Sequence, residues 1–197
     1  MMPHKSQSRF VGWSGFASAA LALLFASQTA RAQATTVILV RHGEKAARPA
    51  DDPPLTNDGE RRARDLAATL ADARVSMVIA TQFVRSQETA KPVADAAHQT
   101  VITVPATADP KAHAAAVAAK VRSAPAGGTV VIVGHSNTIP LIIEALGGPK
   151  MQDLCDAEYA NLFVLETSAA GPPKLIRSRY GTSDPVGSDK CTRTMHK

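Results

Sequence analysis

Residues 37–40, VILV, form an unbroken apolar run that leads straight into Arg41 and His42. A short continuous run of this kind fits a strand buried on both faces. VSMVIA at 75–80, TVITV at 100–104 and TVVIVGH at 129–135 repeat the pattern, the last being the most β-branched, and NLFVLE at 161–166 and KLIRSRY at 174–180 read as two final strands. Between the first four runs the period becomes helical. Ala63, Leu66, Ala67, Leu70 and Ala71 recur at i, i+3, i+4, i+7 and i+8, one apolar stripe of a helix that Thr56 or Asn57 can cap from the turn-rich DDPPLTNDGE segment. A second helix is expected from about Arg85 to Ala97, with Pro92 bending it or in its first turn, and an alanine-rich third from Lys111 to Arg122, ended by SAPAGG. Asn137 can cap a fourth, which buries Ile139, Ile142, Ile143 and Leu146 and stops at Gly147-Gly148.

Strands alternating with helices imply right-handed crossovers and a mostly parallel sheet covered on both faces. Ligands of such sheets bind beyond the carboxyl ends of the strands. Arg41 and His42 close the first strand, Thr81 to Arg85 follow the second and His135 closes the fourth. All three places are therefore expected on one edge of the sheet. From Gly181 onward the chain is polar and is read as a loosely held tail.

The length, 197 residues with 45% apolar, allows one well-buried core and not two. Aromatics are only 4%, so that core is expected to be built from Ala, Val, Leu and Ile. Residues 1–32 stand apart from it. His4, Lys5 and Arg9 precede an apolar stretch from about Phe10 to Ala26, and Ala30-Arg31-Ala32 has the small-x-small form of a signal-peptidase site. This reads as a secretory signal cleaved after Ala32, with a single domain at 33–197 that is periplasmic or secreted. Gly12, Ser14, Gly15 and Ser18 interrupt the apolar stretch, which makes it a poor permanent span, so no stable membrane insertion is expected after cleavage.

Cleavage changes the charge balance. The full chain has 22 basic and 17 acidic residues, a net +5; Lys5, Arg9 and Arg31 leave with the signal and no acid does, so 19 basic residues remain against 17, a net +2. That is too weak to argue for a nucleic-acid partner. The densest basic cluster, Arg61, Arg62 and Arg64, is read as a solvated helix face. Cys155 and Cys191 are either one disulfide of an exported protein or two unrelated thiols.

One sheet edge thus gathers Arg41, His42, Arg85 and His135, with glycines beside both histidines. Arginine offers a permanent charge and a planar fork of donors to phosphate. A neutral imidazole nitrogen can attack phosphorus, while the guanidinium groups and the second imidazole stabilise the equatorial oxygens of the transition state. No Asp/Glu/His cluster has metal-site spacing, so neither metal nor other cofactor is expected.

The blocks VILVRHGEKA, LTNDGERRA, TQFVRSQETA and VIVGHSN stand in the order and approximate spacing of the histidine phosphatase superfamily, the phosphoglycerate-mutase-like fold. The resemblance covers roughly 37–180. It implies a three-layer α/β/α sandwich and a phosphorylated histidine at His42, with Arg41, Arg85 and His135 around the phosphoryl group. Family members protonate the leaving oxygen with an acid, in many a glutamate after the Arg-Ser-x-x-Thr helix. Between Thr89 and Lys120 this chain has no glutamate but two aspartates, Asp95 and Asp109. Asp109, after the third strand, is favoured as the donor, although it could equally cap a helix before Pro110; Glu44 and the loop at Asp51–Asp52 are rivals. Asp95 is expected on an exposed helix face. Glu44 is also a candidate substrate-binding residue, or it simply pairs with an arginine and orients it. Lys45 is read as a solvated loop residue within reach of a substrate, and His98 and His113 as surface residues. Ser136 after the later histidine, where the phytase-like branch has aspartate, resembles the mutase and small-phosphatase branch.

The function implied is an exported, metal-independent phosphatase acting on a small phosphorylated substrate through a phosphohistidine. Alternatives are a protein phosphohistidine phosphatase, a phosphoglycerate-type mutase, and a phosphate- or sugar-phosphate-binding protein without turnover. A mutase must shield its phosphoryl enzyme from water, which takes lid elements, and the connections here are short.

Overall fold

The computed structural model describes residues 1, 34–168 and 171–191. The expected signal and its cleavage site lie outside the described residues. Two compact units divide the chain, Met1–Arg31 and Ala32–Lys197, and every element below belongs to the second.

Six strands and four helices follow in the order β1 (Thr35–Arg41), α1 (Asn57–Thr69), β2 (Val75–Ala80), α2 (Val84–Ala96), β3 (Val101–Thr103), α3 (Pro110–Arg122), β4 (Thr129–Gly134), α4 (Thr138–Ala145), β5 (Asn161–Ser168) and β6 (Gly171–Arg179). They form one sheet in the order β3-β2-β4-β1-β5-β6. The pairings among β3, β2, β4 and β1 are parallel, while β1–β5 and β5–β6 are antiparallel. The expectation of a mostly parallel sheet is thus met in part: the four strands that carry the site are parallel, and the last two are antiparallel. Parallel neighbours need a long crossover, and the two residues between β5 and β6 permit only a hairpin.

The continuous apolar runs resolve into two faces because successive side chains point to opposite sides. Val37, Leu39, Ile79, Val130 and Ile132 pack with Val117 and Val121 of α3 and with Ile139, Ile142 and Ile143 of α4. Ile38, Val40, Val78, Val131 and Val133 pack with Leu66 of α1 and with Ala90, Val93 and Ala94 of α2. Two helices on each face make the three-layer α/β/α sandwich. Thr56 caps α1, its side chain accepting from Gly59 N–H, and Pro92 lies inside α2. Asn137 precedes α4 without a side-chain cap bond; the Thr138 hydroxyl instead accepts from His135 N–H (2.9 Å).

The reading of a loose tail does not hold for 181–191. Cys191 is bridged to Cys155 across a Cα–Cα distance of 5.8 Å. The Asp184 carboxylate accepts from the backbone N–H groups of Tyr159 (2.8 Å) and Ala160 (2.9 Å). Polar composition hid this attachment because it runs through one disulfide and one buried carboxylate rather than through apolar packing.

Candidate active site

The parallel pairing of β1 with β4 sets the geometry. Arg41 lies opposite Gly134, and His42 N–H donates to Gly134 C=O (3.0 Å), so both strands end level and deliver His42 and His135 side by side. Their ring centroids are 5.3 Å apart. The first turn of α2 brings Arg85 to the same place. Thr89, one turn further on, locks this arrangement: its hydroxyl donates to Arg85 C=O (2.7 Å) and accepts from Gly43 N–H (2.9 Å). Gly43 leaves room for α1, since a Cβ there would stand 2.9 Å from Gly59 C=O. These groups open onto a cavity of about 540 Å³ lined also by Lys45, Phe83, Thr107, Ser136, Asn137 and Asp156.

His42 is held in one tautomer. Its Nδ1 lies 2.7 Å from Gly43 C=O, which can only accept, so Nδ1 carries the proton and Nε2 keeps its lone pair. Arg85 Nε–H points at that Nε2 from 3.3 Å. Burial, with the charges of Arg41, His135 and Arg85, lowers the His42 pKa to about 3, although the bond to Gly43 opposes the shift. Burial, with Arg85, His113 and Arg41, lowers His135 to about 4; its Nε2 lies 3.0 Å from the Thr81 hydroxyl. Both rings are therefore neutral at neutral pH.

Arg41 is 4% exposed. Its Nη1 donates to the carbonyls of Cys155 (3.0 Å) and Asp156 (2.8 Å), and its guanidinium lies 4.2 Å from the centre of the Tyr159 ring. Its Nε is buried with no hydrogen-bond partner. Each site arginine has one loose ion pair: Asp156 lies 3.9 Å from Arg41, with its side chain fully exposed, and Asp52 3.6 Å from Arg85. A buried and a half-buried guanidinium, each with only one loose ion pair, make a site for an oxyanion.

A profile of the histidine phosphatase superfamily (branch 1) matches residues 37–109, the stretch that contains Arg41, His42 and Arg85 in this geometry. His135 lies beyond the matched stretch and is brought in by β4. The sandwich recurs in solved structures. The protein histidine phosphatase SixA, solved with tungstate, matches at TM-score 0.55 with 19% identity over 73% of this chain and 96% of that one. A mycobacterial glucosyl-3-phosphoglycerate phosphatase matches at TM-score 0.57 with 15% identity over 77% and 100%, and a mycobacterial hydrolase at TM-score 0.60 with 18% identity over 80% and 95%. At such identities the likeness establishes the fold. No curated protein matches the chain in sequence.

Two expected site residues are placed elsewhere. Asp109 is the N-cap of α3, its carboxylate accepting from Lys111 N–H (2.9 Å) and Ala112 N–H (3.2 Å), and its neighbours Ala108 and Pro110 line the cavity in its place. Glu44 turns away from His42 and receives Arg62 Nε and Nη2, the latter at 2.7 Å. Burial alone would raise the Glu44 pKa, but the bonds and charge of Arg62 outweigh it and hold the carboxyl below its usual range. Asp52 accepts from Val84 N–H (3.0 Å) at the start of α2. Asp95 pairs with Lys91 along α2, exposed as expected. Asp156 is the one carboxylate among the described residues lining the cavity.

Two surface readings also change. Arg62 is buried, 3% exposed, because it shares a helix face with Gly59, Ala63 and Leu66; extending the apolar stripe one turn back would have found it. His113 is buried as well, its Nδ1 3.0 Å from Pro105 C=O. His98 is exposed, as read. Thr89 was visible inside its block, whereas Tyr159 and Asp156 lie in a segment with no sequence signal.

Asp109→Ala is expected to cost about 1 kcal/mol of stability through the lost cap and to change kcat/KM less than about twofold on alkyl and aryl phosphates alike, since an exposed cap touches no reacting atom. Urea unfolding together with kinetics on both ester types checks this. A selective loss on alkyl esters would restore Asp109 as the proton donor.

The buried histidines also fix how stability depends on pH. Each binds a proton in the unfolded chain below about pH 6.5 but not in the folded one, so unfolding takes up protons and stability is lost as the pH is lowered. The loss begins near the unfolded pKa of about 6.5, grows by roughly 1.4 kcal/mol per pH unit for each histidine, and ends at about 4 for His135 and about 3 for His42. Imidazole NMR resonances of both residues should stay in the neutral form between about pH 8 and 5. Titration of either near its ordinary value in the folded protein would contradict the burial described above.

Proposed function

We propose that the chain is an exported phosphatase that hydrolyses phosphomonoesters through a phosphohistidine on His42, without a metal. The observation that supports this best is the fixed tautomer of His42, whose Nε2 lone pair is presented to the cavity beside the Arg85 and Arg41 guanidinium groups. In the first half-reaction Nε2 attacks phosphorus, the P–N bond forms, and the P–O bond to the leaving group breaks. Arg41, Arg85 and His135 surround the position of the transferred oxygens and offset their charge. The leaving oxygen takes a proton, for which Asp156 is the carboxylate at hand. In the second half-reaction water attacks phosphorus and returns a proton to the Asp156 carboxylate, the P–N bond breaks, and inorganic phosphate leaves with His42 restored to its neutral form.

A protein phosphohistidine phosphatase is the second reading. It is favoured by the absence, among the described residues, of a carboxylate packed against His42: a leaving imidazole can take its proton from solvent before it departs, so it has less need of a fixed acid. Export stands against it, because such substrates are usually inside the cell. A panel of phosphomonoesters and a phosphohistidine peptide, run on purified protein with and without EDTA, tests both. Turnover of esters that survives the chelator is expected. Binding of phosphate with no turnover of either class would leave only a binding protein, and activity restored by a divalent ion alone would contradict the metal-free reading.

A further inference from the structure

We propose that the C-terminal tail is a positioning element of the phosphoryl site: through the Cys155–Cys191 bridge and Asp184 it holds the carbonyls of Cys155 and Asp156 where they aim the Arg41 guanidinium. This rests on the reading of Arg41 as a phosphoryl-binding residue. All the close partners of that guanidinium come from one stretch, 155–159: the two carbonyls bonded to Nη1, the Tyr159 ring beneath it, and the Tyr159 hydroxyl 3.5 Å from Nη2. The stretch contains no helix and no strand. Its own turn supplies part of its order, with Cys155 N–H donating to Glu158 Oε2 (2.7 Å) and Glu158 N–H donating to Cys155 C=O (2.9 Å).

The rest comes from beyond the last strand. Cys191 ties down the residue whose carbonyl accepts from Arg41, and Asp184 satisfies the N–H groups of Tyr159 and Ala160. The start of the tail is fixed in turn by Arg62, which donates to the carbonyls of Tyr180 (3.2 Å) and Thr182 (3.0 Å) while it holds Glu44, two residues after His42. A guanidinium on a flexible stem gives its full effect on a developing charge only when its orientation is set beforehand. With Nη1 committed to two carbonyls, Nη2, held only by the long 3.5 Å contact with the Tyr159 hydroxyl, is the donor left to turn toward substrate oxygens. The tail thereby acts on the site without touching the reacting atoms.

The test is a cycle read by binding of orthovanadate to the purified protein, measured by calorimetry so that turnover plays no part. Replacing both cysteines, Cys155→Ser with Cys191→Ser, is expected to weaken binding about tenfold, and Asp184→Ala, which keeps the bridge, about three- to tenfold. In an Arg41→Ala background neither change should weaken binding further by more than about twofold, while the thermal midpoint falls in both backgrounds. Equal weakening with and without Arg41, or none with it present, would overturn the proposal. Should the double cysteine variant not fold, the Asp184→Ala cycle decides alone. Failure of the unaltered protein to bind orthovanadate would instead overturn the reading of the site itself, and the proposal with it.

Discussion

His42→Ala is expected to abolish covalent phosphate labelling and to lower turnover by about 10⁴- to 10⁶-fold, the scale seen when a nucleophile is deleted. The lone pair at Nε2 is the one group that the geometry presents as a neutral attacker, and neither guanidinium nor the second imidazole can replace it in place. The substitution removes a buried ring, so folding must be checked, and phosphate binding supplies the check. Arg41, Arg85 and His135 remain, so affinity for inorganic phosphate should stay within about tenfold. Retained labelling in His42→Ala would move the nucleophile elsewhere; lost labelling together with lost phosphate binding would indicate a collapsed site.

Arg41→Ala should lower kcat/KM by about 10²–10³-fold, as for a donor aimed at charge that develops in the transition state. Arg41→Lys should recover little of it. A lysine ammonium could approach the substrate, but it cannot hold the carbonyls of Cys155 and Asp156 with one nitrogen while presenting others to the phosphoryl group in a fixed plane. Both variants also disturb the bonds to the carbonyls of Cys155, which still accepts from Glu158 N–H, and of Asp156, so kinetics must be run well below the unfolding midpoint. A lysine variant with near-normal kcat/KM would show that Arg41 contributes only charge.

The features legible in the sequence were those carried by periodicity and by blocks. Continuous apolar runs mark β1, β2 and β4, and the crossover rule places Arg41, His42, Arg85 and His135 on one edge from sequence alone. The antiparallel β5–β6 hairpin was missed although its short connection already excluded a crossover. Asp109 illustrates a true ambiguity: an aspartate before a proline after a strand is the signature of a helix cap and equally the place of a donor, and only the two N–H groups on its carboxylate separate them. His113 sits on an alanine-rich helix whose faces differ little in polarity, so its burial left no trace in the pattern. The tail was misread because its attachment depends on single long-range pairs, Cys155 with Cys191 and Asp184 with the backbone at 159 and 160, for which sequence offers no register.

The most direct measurement is rapid-quench mass spectrometry of the protein mixed with an aryl phosphate. One phosphoryl group should appear on the peptide that carries His42, before steady-state release of phosphate, and it should be lost in mild acid as a phosphoramidate is. Steady turnover with no protein-bound phosphate, or a phosphoryl group on any residue other than His42, would contradict a phosphohistidine mechanism at this site.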